Sequence, residues 1–460
     1  MCRAQPSMRW PDWNATTFPA FNCFLCLLTA LLLVFSDSLL DGAGESKPAF
    51  NQPQTIRVFT DIYLPRVAFD RTSRIVAVGG IELSEPMNTS ERSGQPHGHE
   101  TGFVRVCEIL SGRLVYESRS KFWQPVQMWF HPSDPVIACL WHAIVPPGTI
   151  LVVDPDNGRD DTRNQCRLSF IDLTKGKEIY EICGRFLDGY GFQDDGRFVF
   201  LMEDLESICS VEWQQRKARY LPQYSLGILN TLNRLIDTLL SASGPAQIQF
   251  KLDSVSLSND GRYQMLIWIR EELDKKERQK IMYHRQGACV QVFDVNVGQL
   301  MLVRHYPTAT DATAVLCPAK RLMALGHYAA VGRTDQSFCT EIYQLPCLAS
   351  SKQTNVNESQ FAKQLSNLWP LRFAPNSSFI IGLRPHDRLP QSVCWCVMDW
   401  RRGVTLFRSE TCLEFYERIA ISPDFKFVAY TLDFSKPHGK IVIARIDQNL
   451  VRLLTHDPRL

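Results

Sequence analysis

Apolar and polar residues alternate with a period of two in short runs along most of the chain, and each run ends on an apolar residue followed by turn chemistry. The clearest copy is RIAISPDFKFVAYTL, in which Ile419, Ala420, Ile421 and Ser422 alternate, Pro423 and Asp424 make the turn, and a β-branched and aromatic run follows. Proline fixes its own φ, and aspartate can accept from the backbone two residues on, so the pair favours a hairpin. Phe69, Phe130, Phe192, Leu257, Leu316 and Phe373 hold the same place as Ile421, giving seven anchors spaced 48 to 65 residues apart. A compact four-stranded repeat needs only about 40 to 45 residues, so most copies carry insertions.

A second signal follows in fixed order. An acid stands four residues before a glycine at Glu108 and Gly112, Asp172 and Gly176, Asp294 and Gly298, and Asp399 and Gly403. Glycine supplies the positive φ of a tight hairpin turn. The third and fifth copies, CSVEWQQRKARYL and CTEIYQLP, have lost most of this signature. The last, KIVIARIDQNLVRLL, keeps Asp447 and is expected to form two strands joined by a tight turn. Four antiparallel strands repeated seven times predict an all-β fold, a seven-bladed β-propeller over residues 55–460.

These repeats resemble the WD40-like and YVTN-like β-propeller superfamily from Gln54 to Leu454. No Trp-Asp dipeptide ends a third strand, and neither Gly98-His99 nor Gly326-His327 opens a repeat. The resemblance therefore implies the fold and no particular partner.

Residues 1–40 contain FPAFNCFLCLLTALLLVF, whose uninterrupted apolar part, Cys23 to Phe35, is 13 residues long. That suits the core of a signal peptide and falls short of the roughly 20 residues of a spanning helix. An N-terminal apolar helix, as signal peptide or membrane anchor, is expected, with residues 41–54 as linker. The protein is then exported, periplasmic or extracellular, or membrane-anchored, and touches membrane only through this segment; the alternative is a cytoplasmic scaffold with reduced thiols. Leu226, Leu229, Leu232, Leu235, Ile236 and Leu239 recur at helical spacing and predict a helical insertion, 225–243, between blades 3 and 4. The stretch REELDKKERQKIMYHRQG alternates charge signs and is expected to be a solvated helical protrusion.

Lys and Arg, 50 together, are scattered among 48 acids, which argues against nucleic-acid binding, where a basic stripe is the rule. Twelve of the 15 cysteines lie beyond Phe35. Cys107, Cys289, Cys394 and Cys396 fall at odd offsets before the third-strand acid, on one sheet face, and read as small packing residues between blades.

In a four-stranded blade the first-to-second and third-to-fourth connections share one side of the ring. The others share the opposite side. The short turns are of the first kind, and the long segments 81–102, 143–165, 271–287, 329–337 and 384–391 are of the second, the usual mark of a binding face. Two of these loops carry candidate metal ligands. His97, His99 and Glu100 offer zinc donors, and Asp154, Asp156, Asp160 and Asp161 offer the hard oxygens that Ca²⁺ takes, with Gly158 one position early for an EF-hand loop. A solvated polar loop is the commoner origin of either pattern. Nucleophile-elbow, phosphate-loop and HExxH motifs are absent from the sequence. The expectation is a non-catalytic module that binds another protein through the long-loop face. The alternative is a propeller hydrolase or lactonase with a site at the central opening and Ca²⁺ as its candidate cofactor.

Overall fold

The computed structural model describes residues 50–456, apart from 84–99, 145–165, 185, 203–206, 221–247, 259, 275–281, 295–298, 318–319, 332–334, 346–359, 387–388, 390–391, 415–418, 434–435 and 437. Phe50–Leu460 forms one compact unit. The apolar segment 1–40 and the helical insertion 225–243 lie outside the described residues. Among the described residues no helix is long and apolar enough to cross a membrane.

Strand β1 (Gln54–Phe59) precedes the repeats. Blade 1 comprises β2 (Tyr63–Phe69), β3 (Ile75–Leu83), β4 (Glu100–Glu108) and β5 (Leu114–Ser120). Blade 2 comprises β6 (Trp123–Phe130), β7 (Val136–Ala143), β8 (Cys166–Asp172) and β9 (Lys177–Gly184), and blade 3 β10 (Phe186–Phe192), β11 (Phe198–Met202), β12 (Ser207–Glu212) and β13 (Lys217–Tyr220). Blade 4 is β14 (Ile248–Leu257), β15 (Tyr263–Asp274), β16 (Met282–Asp294) and β17 (Gln299–Tyr306). Blade 5 is β18 (Asp311–Cys317), β19 (Leu322–Val331), β20 (Asp335–Gln344) and β21 (Gln360–Ser366). Blade 6 is β22 (Trp369–Phe373), β23 (Phe379–Pro385), β24 (Ser392–Asp399) and β25 (Val404–Arg408), with β26 (Leu413–Glu414) also paired to β24. Blade 7 is β27 (Ile419–Ile421), β28 (Phe427–Leu432) and β29 (Lys440–Arg445), completed by β1. The seven-bladed all-β ring expected from the pattern is thus the observed fold.

The turn chemistry works as the sequence implied. Asp195, Asp260, Asn376 and Asp424 each accept, through Oδ1, the amide two residues on, at 3.0 to 3.1 Å. Ser73, Gly196, Gly261, Ser377 and Phe425 take the positive φ these turns need, and each donates its amide to the carbonyl three residues back. After the third strand, Gly112, Gly176 and Gly403 take φ of +60 to +78°, and in blade 3 Arg216 does so at +53°. A bulge recurs beside this turn in blades 1, 2, 4, 5 and 6.

The core lies between blades rather than within them. Phe170 of β8 meets Phe198 of β11 edge to face at 5.5 Å. Val76 and Val78 of blade 1 pack with Ile441 and Ile443 of blade 7. Each such ring or aliphatic side chain withdrawn from water contributes about 1.5 to 3 kcal/mol, so the ring is stable only when closed.

Three expectations are corrected. The tail does not supply the last outer strand: β1 pairs with β29 from Gln54 opposite Arg445 to Phe59 opposite Ile441. With that place occupied, the tail forms helix α1 (Gln448–Thr455), capped by Asp447, whose Oδ1 accepts from Asn449 and Leu450. Leu450 and Leu454, one turn apart, are buried, and their even spacing had fitted a strand equally well. The two described ends of the segment 271–287, residues 271–274 and 282–287, are not helical but extend a hairpin, with Ile248 opposite Glu272 and Asp274 opposite Met282. Pairing with a third strand overrides the local charge pattern there. Finally, not every long connection is on one side. Residues 345–359 join the third and fourth strands of blade 5, and that topology puts them on the short-turn side.

Candidate functional site

First strands of neighbouring blades touch one another around the centre of the ring. Two arginines bridge them. Arg66 of β2 donates from Nε to the Val126 carbonyl of β6 at 2.8 Å and from Nη1 to the Pro65 carbonyl at 3.1 Å. Arg372 of β22 reaches the Ile421 carbonyl of β27 at 3.5 Å and lies over the Phe425 ring at 4.9 Å. Burial pulls the Arg372 guanidinium below its ordinary value. Burial lowers His142 as well, helped by the charge of Arg66. Both arginines serve the seam between blades, and a charged residue close before the anchor of an alternating strand was the only sequence signal for them.

The side bearing most long connections is built on the far ends of the second and third strands. Blade 4 stands out, because β15 and β16 have 12 and 13 residues and carry their ladder outward beyond the other blades. The register sets Glu271 opposite Arg285 and Glu272 opposite His284 along this extension. On blade 1 a four-membered ionic network crosses three strands, with Arg105 and Arg119 each bonded to Glu82 and Glu117 at 2.5 to 2.9 Å. Burial opposes ionisation of Glu117, and the two guanidinium groups outweigh it, so its carboxyl sits below the usual range. Ring closure is sealed here by the Ile62 amide on the Gly439 carbonyl and by His438 Nδ1, 3.1 Å from Asp61 Oδ1. Phe122, between blades 1 and 2, is 69% exposed, and Leu389, on blade 6, is 47% exposed. They sit on separate parts of the ring and do not form one patch.

His97, His99, Asp154, Asp156, Asp160 and Asp161 lie outside the described residues. Glu100 opens β4. Among the described residues there is no group of three or more His, Cys, Asp or Glu side chains that could hold a metal ion. Cys107, Cys139, Cys166, Cys209, Cys289, Cys394 and Cys396 are buried, and for Cys107, Cys289, Cys394 and Cys396 this is the packing role the strand offsets suggested.

No family model matches the chain, and no curated protein does. Among solved structures, the chain is similar to the Cps50 (Swd1) β-propeller domain of Myceliophteria thermophila, with 11% identity over 86% of this chain and 99% of that one and a TM-score of 0.49. Hydrazine synthase of Kuenenia stuttgartiensis gives 12% identity, 88% and 98% coverage and a TM-score of 0.46. A chain of the mitotic checkpoint complex gives 10%, 88% and 94%, and 0.46. The blade topology makes this chain a seven-bladed β-propeller.

Proposed function

We propose that this WD40-like propeller is a protein-interaction or scaffold module that binds its partner through the side carrying most of the long connections. The observation that supports this reading is the uneven loading of the ring. The second-to-third connections of blades 1 and 2 span 84–99 and 144–165, and blade 4 extends its hairpin on the same side. A rigid disc with variable connections on one side recognises by surface complementarity, and no chemistry is required. Export or tethering through residues 18–35 is part of the same proposal, and sequencing the mature N-terminus tests it.

The experiment is a set of full-length variants in which 84–99, 145–165 or 275–281 is replaced by a short glycine-serine bridge. Partners captured from the native cell by the parent protein are identified and then tested as purified proteins. Loss of direct binding in one or more shortened variants that keep the parent melting temperature is expected. Undiminished binding by all of them would move the recognition surface elsewhere.

A further inference from the structure

The outer rim between blades 7 and 1, on the short-turn side, carries a charge that no described residue compensates. Arg57 lies on β1, opposite Ile443, and its guanidinium rests on the blade 1 turn. A Cβ on Gly112 would fall 1.9 Å from Arg57 Nη1 and 2.2 Å from Cζ. Arg57 Nε is buried and has no hydrogen-bond partner, and no ion pair joins Arg57 to a carboxylate among the described residues. Glu108, the acid that closes β4 just ahead of this turn, is engaged elsewhere, with Arg113 at 3.2 Å and the Ser111 hydroxyl at 2.6 Å. A buried donor without an acceptor is costly.

Two leucines of the same turn stand open to solvent. Leu110 is 63% exposed and Leu114 50% exposed, the two residues flanking Gly112 at a spacing of two. Leu114 stands opposite Cys107, on the blade 1 face that packs towards blade 7 and therefore towards Arg57. Exposed leucines beside a half-buried arginine are the composition of an interface centre, where arginine supplies directed donors and the aliphatic rim excludes water.

We propose that this rim patch is a second docking surface, whose occupant is a partner-protein segment that places an aspartate or glutamate carboxylate on Arg57 between aliphatic or aromatic side chains over Leu110 and Leu114. The planar guanidinium suits a carboxylate. This extends the interaction-module reading to the opposite side of the ring, and it is separable from that reading because the loops on the other side take no part in it.

The test selects short random peptides, displayed on phage, on the full-length protein. Individual winners are then measured by fluorescence anisotropy on the parent and on Arg57→Gln, Leu110→Ser and Leu389→Ser variants. Enriched peptides are expected to combine an acid with neighbouring aliphatic or aromatic residues, to lose about tenfold or more in affinity on Arg57→Gln and on Leu110→Ser, and to bind Leu389→Ser like the parent. Loop-shortened variants are expected to bind them unchanged, whatever becomes of the partner on the other side. Leu110 is exposed, so Leu110→Ser carries the test even where Arg57→Gln lowers the melting temperature. The proposal is overturned by winners that do not discriminate the parent from Leu110→Ser, by winners without an acid, or by phosphatidylserine vesicles or RNA oligomers that bind better than any peptide and lose binding in the same two variants.

Discussion

Removing β1 tests the closure of the ring directly. A chain beginning at Thr60 lacks the six residues that complete blade 7, whereas one beginning at Phe50 keeps them and the side chains that hold them. The ladder between β1 and β29 joins five residue pairs. Each lost hydrogen bond costs about 1 kcal/mol net, so roughly 4 kcal/mol goes with the strand. Ile56 and Phe59, half-buried against Ile441 and Ile443, add about 2 to 3 kcal/mol together. The total, about 6 to 7 kcal/mol, is comparable with the whole stability of an ordinary domain, roughly 5 to 15 kcal/mol. The truncated chain should therefore melt about 7 to 8 °C below the chain beginning at Phe50, or fail to fold. It should also self-associate, because β29 becomes an unpaired edge. Thermal unfolding by circular dichroism, with light scattering for association, reads both effects, and a synthetic peptide spanning residues 50–60 should restore part of the loss. Equal melting temperatures for the two chains would mean that blade 7 does not depend on β1, and the account of closure would be wrong.

Other consequences are local. His131 is 5% exposed and accepts the amides of Ser133 at 3.2 Å and Asp134 at 2.8 Å on Nδ1. Burial holds its pKa below the ordinary histidine value despite the charge of Asp134. A depressed folded-state pKa contributes stability above about 6.5 that is lost as pH falls below it, by at most about 1.4 kcal/mol per pH unit. His131→Asn should flatten the fall in melting temperature between pH 7 and pH 5. A Cβ on Gly102 would meet the Trp123 carbonyl oxygen at 1.9 Å, whereas one on Gly176, at φ +60°, meets nothing within 4 Å. Gly102→Ala should cost several kcal/mol by pushing blades 1 and 2 apart, and Gly176→Ala only about 1 kcal/mol of backbone strain, both measurable by urea unfolding. Burial raises Cys209 and Cys289 to about 11 and Cys396 to about 12, so a thiol reagent at pH 8 should label exposed Cys183 first and reach these three only after unfolding.

The fold was legible where it rests on local chemistry. Phe69, Phe130, Phe192, Leu257, Phe373 and Ile421 are the last residues of first strands, and Leu316 is the last but one. Glu108, Asp172, Asp294 and Asp399 close third strands. Each mark is a turn of four or five residues whose side chains bond their own backbone, so the sequence around it suffices. Blade 3 shows the limit of the glycine mark, since Arg216 accepts the same positive φ four residues after Glu212. Closure was not legible, because QTIRVF reads as any short strand and its partner lies at the far end of the chain. The seam contacts were hidden for the same reason: nothing near Gly112 announces Arg57, and nothing near Val126 announces Arg66. Of the residues chosen as metal ligands, only Glu100 falls in a described element.

The two ends of the described chain are tied by one carboxylate, and this makes a separate test of helix α1. Asp447 Oδ1 caps the helix, while Oδ2 accepts from the Asn51 side chain at 2.8 Å, just ahead of β1. Burial works against the charged form, but the donors from Asn51, Asn449 and Leu450 outweigh it and hold the Asp447 carboxyl below its usual value. Losing the cap costs about 1 kcal/mol, and losing the bond to Asn51 about 0.5 to 1 kcal/mol more. Asp447→Ala should therefore destabilise by about 1.5 to 2 kcal/mol at neutral pH. The difference should vanish as pH falls through the depressed pKa, because the lowered group contributes stability only while ionised. Asn51→Ala alone should cost less, and combined with Asp447→Ala should cost nothing further, since the shared bond is already gone. Additive losses in that cycle would separate strand from helix. A tail that paired as a strand would show no loss of cap at all.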